Sequence, residues 1–335
     1  MRLENVVALT LGELVNSPFV NTFTNIVYEA KAVKRGDLFI AFDEESIEEA
    51  IFNGAYGILF DKPTQIRDNE IAWIKVDDLE DALKRLLRFI LIEKEIVVYE
   101  CNEIVLKLAL QIITEPSFIV LNSDIKEVFR SLSDVENGTT VLFSPAITTP
   151  DIFTQTKPLP QNFAQSIDII EQTLFETSFI YDNVFYERQL ISPFFMPYLE
   201  QLLALFKILK INFRLRKFTP IDHFEAVFTN KNFEIKEFGT SDKVLIFEKN
   251  RDLIAKEIEF LQKQATWAKI IYIIPYDLKE KLQKETPHLH TYKNENEIKG
   301  ILQNSNFHFA LIVGVDKSIL TKPLVNQAQI SLFDF

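Results

Sequence analysis

Short apolar runs alternate with amphipathic stretches along the first ninety residues. Asp37 to Phe42 (DLFIAF) is a mostly apolar run, the pattern of a buried strand. Ser46, followed three residues later by Glu49, has the form of a capping box and predicts a helix running to Gly54. Tyr56 to Phe60 and Ile71 to Val76 predict two more strands. Asp77 and Glu80 repeat the capping spacing before a long helix with Leu79, Leu83, Leu86, Leu87 and Ile90 on one face. The pattern predicts a small α/β domain over residues 1–92.

A charged stretch, Glu93 to Glu95, leads to a strand at Ile96–Glu100. A helix at Glu103–Ile113, a strand at Ser117–Leu121, a helix at Ile125–Leu132 and a strand at Thr139–Phe143 continue the alternation, which implies a largely parallel sheet. Ser144 to Pro160 carries four prolines and reads as a loop. Ser178 to Glu187 predicts a hairpin turning at Asp182-Asn183, and an apolar helix follows at Pro197–Leu209. These elements make up a second domain over 93–240. From Lys243 the alternation restarts with strands at Val244–Phe247, Lys269–Ile274 and Phe309–Val313, a weak strand near His290, and helices at Asp252–Gln264, near Leu278 and near Ile298. This predicts a third α/β domain over 241–320 and a tail over 321–335.

Composition narrows the function. The chain is 47% hydrophobic and 25% charged, the values of an ordinary globular protein. A net charge of −12 argues against direct nucleic-acid binding. No stretch approaches the roughly 20 apolar residues that span a bilayer, and Met1 to Ser17 lacks the basic start and apolar core of a signal peptide, so the expectation is a cytoplasmic protein without membrane contact. One cysteine, Cys101, excludes an intramolecular disulfide and a multi-cysteine zinc site and reads as an apolar filler. Glycine is scarce, 8 of 335 residues against a usual share of roughly 7%. No glycine precedes a lysine, so the Walker A loop is absent, and so is G-x-G-x-x-G.

Three segments of the first domain carry a resemblance. Val33-Lys34-Arg35-Gly36-Asp37-Leu38-Phe39-Ile40-Ala41-Phe42 is similar to the V-x-P-G-D-L-F-V-A-L of the Mur ligase N-terminal domain. Ala50-Ile51-Phe52-Asn53-Gly54-Ala55 resembles the family's A-x-x-x-G-A. Trp73-Ile74-Lys75-Val76-Asp77-Asp78, with Ala82 and Leu83, resembles its V-x-D-x-x-x-A-L. Weaker likenesses fall at Pro193 before the apolar helix and at Gly314-Val315-Asp316-Lys317-Ser318, which resembles the late K-G-S-R. The branch most similar is the one that adds D-alanyl-D-alanine to the peptidoglycan precursor. The resemblance implies an α/β, three-domain Mur-ligase-like architecture with a shortened central domain, since the chain is shorter than typical members.

The departures fall on the family's chemistry. Where the ATP loop belongs, the strand runs into Cys101-Asn102-Glu103-Ile104-Val105-Leu106-Lys107. That segment offers no glycine to open a nest of N–H groups and no Lys-[ST] pair for phosphate and Mg²⁺. Glu100 and Glu103 would repel a triphosphate, and Lys107 reads as a solvated helix residue. The uridine-binding D-S-R aligns with Glu29-Ala30-Lys31. The P-G-x-H-N-x-x-N segment has become Pro193-Phe194-Phe195-Met196-Pro197-Tyr198-Leu199-Glu200, and the segment opening the C-terminal domain is Phe247-Glu248-Lys249-Asn250-Arg251. Four losses together imply that the ligase reaction is gone, leaving no catalytic residue, metal or cofactor to assign. The competing reading is a residual UDP-muramyl-peptide ligase or ligand-binding protein.

Among other residues, His223, His288, His290 and His308 read as surface or loop histidines without a third metal ligand. Lys207, Lys210, Arg214, Arg216 and Lys217, interleaved with phenylalanines, form either an anion patch or a helix end with favourable cations. The tail segment Gln329-Ile330-Ser331-Leu332-Phe333 resembles the Q-L-[SD]-L-F pentapeptide that docks on the bacterial sliding clamp. Its Gln is a polar anchor and its Leu-Phe pair an apolar plug. The alternative is an apolar strap folded back on the C-terminal domain. The expected partner is thus a protein: the clamp, or an active Mur ligase.

Overall fold

The computed structural model describes residues 1–320 apart from 93, 216, 238–239 and 283–285. The chain divides into two compact units, Met1–Gln161 with Leu205–Arg214, and Asn162–Ala204 with Leu215–Phe335. The division runs inside the segment 93–240.

In the first unit, strands β1 (Glu13–Leu14), β2 (Ile26–Val27), β3 (Leu38–Ala41), β4 (Gly57–Phe60) and β5 (Ala72–Lys75) form a sheet in the order β1-β5-β4-β3-β2. β2 to β5 are parallel, and β1 joins antiparallel. β3 and β4 are buried at every position, which is why they appear as unbroken apolar runs. Trp73 on β5 is fully buried, and its indole N–H donates to the Asp68 carbonyl at 2.6 Å. Helices α1 (Leu3–Thr10), α2 (Glu45–Phe52) and α3 (Leu79–Ile92) cover this sheet.

Both predicted capping boxes are displaced. The cap of α2 is Asp43, whose carboxylate accepts from the Ser46 N–H at 2.8 Å, so Ser46 lies inside the helix. At α3 the capping carboxylate is Asp78, accepting from the Asp81 N–H at 2.9 Å. Beyond the end of α2, Gly54 sits at φ +98°, and a Cβ there would lie 3.1 Å from the Arg35 backbone. This accounts for the glycine in that motif.

The same unit holds a second, wholly parallel sheet in the order β7-β8-β6-β9, made of β6 (Val97–Glu100), β7 (Phe118–Leu121), β8 (Thr140–Phe143) and β9 (Lys157–Pro158). Helices α4 (Glu103–Ile112) and α5 (Ile125–Ser133) connect its strands. One apolar cluster runs from Leu38 and Ile40 of the first sheet, through Leu83 and Leu86 of α3, to Phe129, Val141 and Phe143.

Helix α6 (Met196–Leu209) begins in the second unit and ends in the first. Lys210, in the left-handed region at φ 56°, terminates it, and the Ile211 N–H returns to the Phe206 carbonyl at 2.9 Å. Lys207 and Lys210 thus stand at a helix end, where the macrodipole favours cations; Arg214 and Lys217 are exposed beyond it, and Arg216 lies outside the described residues.

The second unit opens with a three-stranded antiparallel sheet: β10 (Ile167–Gln172), β11 (Thr177–Tyr181) and β12 (Val184–Gln189). Its hairpin turns where expected. Asp182 and Asn183 both have positive φ, 49° and 61°, the geometry of a type I′ turn. β10 is an addition to the predicted pair of strands.

The last sheet has the order β13-β14-β17-β15-β16, from β13 (Glu225–Thr229), β14 (Lys243–Glu248), β15 (Ile270–Pro275), β16 (Leu289–Tyr292) and β17 (Phe309–Val313). It is parallel except for β13 on its edge. Helices α7 (Ile254–Gln264), α8 (Lys279–Leu282) and α9 (Glu295–Asn304) link its strands, with Ile298 and Leu302 of α9 buried against Ile273, Ala310 and Ile312. The architecture is α/β throughout, as the alternation predicts. No helix is long and apolar enough to cross a membrane among the described residues.

Candidate functional site

The first place to look for chemistry is the connection from β6 to α4, where an ATP loop would lie. Only Cys101 and Asn102 intervene between strand and helix. Cys101 is buried; its N–H donates to the Phe143 carbonyl at 2.9 Å, and its thiol donates to the same oxygen at 3.4 Å. Burial pushes that thiol far up, which agrees with a filler rather than a nucleophile. Asn102 is extended (φ −78°, ψ 165°), and its side chain caps α4 by accepting from the Val105 N–H at 3.0 Å. No residue from 96 to 112 has positive φ, so the backbone forms no concave nest of N–H groups. Glu103 stands in the first turn, where the helix dipole favours a negative charge. Its carboxylate pairs with Lys107 at 3.4 Å. Lys107 is therefore a largely buried ion-pair partner and not the solvated residue expected. These residues do not fit a bound triphosphate with Mg²⁺.

The other segments that depart from the Mur ligase pattern in sequence are packed as follows. Phe194, Phe195 and Met196 are buried, and the Phe194 ring lies 5.5 Å from Phe224 and 5.6 Å from Phe260. The segment thus belongs to an aromatic core. Glu29-Ala30-Lys31 runs into a single 3-10 turn, Ala30–Ala32, whose first carbonyl accepts from the Asn53 amide at 2.9 Å.

A crevice of about 470 Å³ opens at the carboxyl ends of β14 and β17, the usual ligand position of an open parallel sheet. Phe247, Val315 and Ile235 give it an apolar part. Lys249 pairs with Asp316 at 2.9 Å, and Lys317 with Glu225 at 2.8 Å. Hydrogen bonds from Ser318, then Lys249, hold the Asp316 carboxyl well below the ordinary carboxylate range. Both lysines of the lining thus already carry an acidic partner, and Asp222 adds another carboxylate. An incoming phosphate would have to break an ion pair to find a cation.

Gly314 makes the turn that leads from β17 into the lining residue Val315. It sits at φ +85°, its N–H donates to the Glu248 carbonyl at 2.7 Å, and a Cβ would lie 2.9 Å from the Tyr292 hydroxyl.

Behind the crevice lies a buried acid cluster that sequence spacing did not reveal. His223 lies in a loop, as expected, but at 3% exposure it is buried and not at the surface. Its Nδ1 is 2.9 Å from Oε1 of Glu248, the last residue of β14. Glu248 also accepts from the Asn250 N–H at 2.6 Å and the Phe224 N–H at 3.0 Å. Burial alone would raise the Glu248 carboxyl, but hydrogen bonds from His223, Glu257 and Asn250 hold it below its usual value. Glu257 on α7 is fully buried, and neither of its oxygens makes a hydrogen bond of ordinary geometry. Burial first, then the Glu248 charge and a proton shared with it, push the Glu257 carboxyl well above its usual value. His290 is half-buried on β16, His288 is exposed, and exposed His308 accepts from the Lys269 N–H at 2.9 Å. Among the described residues no group of three or more metal-ligating side chains converges. Residues Gln329 to Phe333 lie outside the described residues.

No family model matches the chain. No curated protein matches it either. Among solved structures, it is similar to MurF from Acinetobacter baumannii, at 11% identity over 93% of this chain and 95% of that one, with a TM-score of 0.49. A second structure from that organism, described as a UDP-N-acetylmuramoylalanyl-D-glutamyl-2,6-diaminopimelate–D-alanyl-D-alanyl ligase, shares 11% identity over 93% and 94%, at a TM-score of 0.45. The MurF ligase of Thermotoga maritima in complex with ADP shares 12% over 88% and 94%, at 0.46. These are likenesses in the course of the chain.

Proposed function

We propose that this protein is a non-catalytic, Mur-ligase-like interaction or regulatory module of the cytoplasm. The observation that carries the reading is the direct turn from Glu100 to Glu103. Its cap is filled by Asn102, its thiol is buried, and its first helical residue, Glu103, is acidic and paired with Lys107. The sequence likeness to the Mur ligase N-terminal domain lies in segments that build β3, α2, β4 and β5, which are scaffold. The positions at which the family holds nucleotide and substrate carry a cap, an aromatic core and paired charges. Gln329-Ile330-Ser331-Leu332-Phe333 supplies the partner half of the proposal, the bacterial sliding clamp. An active Mur ligase is the competing partner, and it would co-purify.

The 470 Å³ crevice favours a second reading, a protein that still binds or ligates a UDP-muramyl peptide. Titration calorimetry with ATP-Mg²⁺ and with a UDP-sugar separates the two. The module gives no saturable heat with either and no ATP hydrolysis. Saturable binding of the nucleotide, or thermal stabilisation by it, supports the ligase reading instead.

A further inference from the structure

A second cavity, of about 240 Å³, lies in the same unit, on the face of β13 that carries Ala226 and Phe228. Phe175, Phe195, Phe224 and Phe228 wall it, with Leu190 and Ile221. The rings make a corner and not a stack. Phe175 meets Phe228 at 88° with centroids 5.6 Å apart, and Phe224 at 36° and 6.0 Å. Phe224 is fixed from behind, with Phe194 stacked on it at 5.5 Å and Phe260 edge-on at 5.6 Å. Its backbone is at φ 45°, a costly conformation for an aromatic residue, held by its N–H on the buried Glu248 carboxylate 3.0 Å away. Strain fixed in this way by a buried partner is found at ligand-holding positions.

The polar side chains around these rings have partners of their own. Glu176 pairs with Arg188 at 3.3 Å. Glu225 turns to the opposite face of its strand, as alternation requires, and pairs with Lys317 of the crevice at 2.8 Å. The His223 Nδ1 is 2.9 Å from Glu248. The Ser192 hydroxyl donates to the Leu174 carbonyl at 2.7 Å and accepts from the Phe194 N–H at 3.2 Å. A ligand charge of either sign would leave water here without a free counter-charge. Water itself needs two to four polar partners, which these engaged groups do not offer.

We propose that this cavity binds a small uncharged aromatic compound, a single ring with one short substituent, seated in the corner between Phe175 and Phe228. An apolar cavity of roughly 150 Å³ holds benzene, and this one has room for a substituent besides. A ring in the corner meets one phenylalanine face-on and the other edge-on, the arrangements that aromatic pairs prefer. Neither clamp docking nor nucleotide binding enters into this assignment.

The test titrates the full chain by ligand NMR with benzyl alcohol, its charged counterparts benzoate and benzylammonium, and its saturated counterpart cyclohexylmethanol. Benzyl alcohol is expected to bind at least about fivefold more tightly than either ion. Phe175→Leu, which keeps an apolar side chain and removes a ring, should weaken benzyl alcohol about two- to tenfold more than it weakens cyclohexylmethanol. Ala226→Phe, which fills the cavity from β13, should abolish binding while circular dichroism remains unchanged. No binding of benzyl alcohol at millimolar concentration, equal binding of either ion, or an equal effect of Phe175→Leu on both alcohols overturns the proposal. Binding that survives in a folded Ala226→Phe variant overturns it as well.

Discussion

The side chain of Asn102 accepts a hydrogen bond from the Val105 N–H at 3.0 Å, and that single contact fills the helix terminus a phosphate would need. It also predicts a stability effect. Asn102→Ala should lower the unfolding free energy by about 1 kcal/mol and Asn102→Gly by only a few tenths, the usual ranking for a lost cap. Urea denaturation measures both. Neither variant should acquire ATP binding, because the backbone on either side forms no nest.

Glu257 predicts an unusual pH dependence. Its folded-state carboxyl titrates above the unfolded value of about 4.3, so the native state binds the proton more tightly. Its contribution to stability is complete below that value and is lost as pH rises towards its native pKa. Glu257→Gln removes this titration. The stability of the variant relative to wild type should therefore rise with pH, by at most about 1.4 kcal/mol per pH unit. Parallel stability curves for the two proteins between pH 5 and 8, a range where carboxylates ordinarily stay ionised, would contradict the assignment.

Gly314→Ala tests the turn that follows β17. At φ +85° an alanine pays roughly 1–2 kcal/mol in backbone energy, and its Cβ would displace the Tyr292 hydroxyl from the Val313 carbonyl, 2.7 Å away. A loss of about 2–3 kcal/mol is expected, combining that backbone cost with one broken hydrogen bond. Adding Tyr292→Phe should recover the steric part and leave the backbone part, which a double-mutant cycle in denaturant resolves.

The scaffold was legible because buried parallel strands are written as apolar runs. Leu38–Ala41, Gly57–Phe60 and Phe309–Val313 are buried at every residue. Strands at sheet edges escaped. β10 reads IDIIEQ and is exposed at every position after the first, and β13, EAVFT, is a five-residue edge strand whose sequence does not alternate between apolar and polar residues. α1 was hidden in a terminal stretch of mixed polarity. The aspartates at 43 and 78 outcompeted the predicted caps because their side chains reach an N–H two or three residues on, a preference that spacing alone does not rank. His223, Glu248 and Glu257 come from a loop, a strand end and a helix, so no local motif announces them. One signal was present: Glu257 lies between Ile254, Ile258 and Leu261 on the apolar stripe of α7, where a carboxylate is out of place. The short connection at Cys101-Asn102 agrees with the sequence, since a nest needs glycine and the segment has none.

The claim that this scaffold serves as an interaction module is tested most directly by titrating the full chain against a purified bacterial sliding clamp in a calorimeter. Saturable binding that is lost in both Leu332→Ala and Phe333→Ala is the predicted result. No binding by the wild type, or binding that both variants retain, would contradict it.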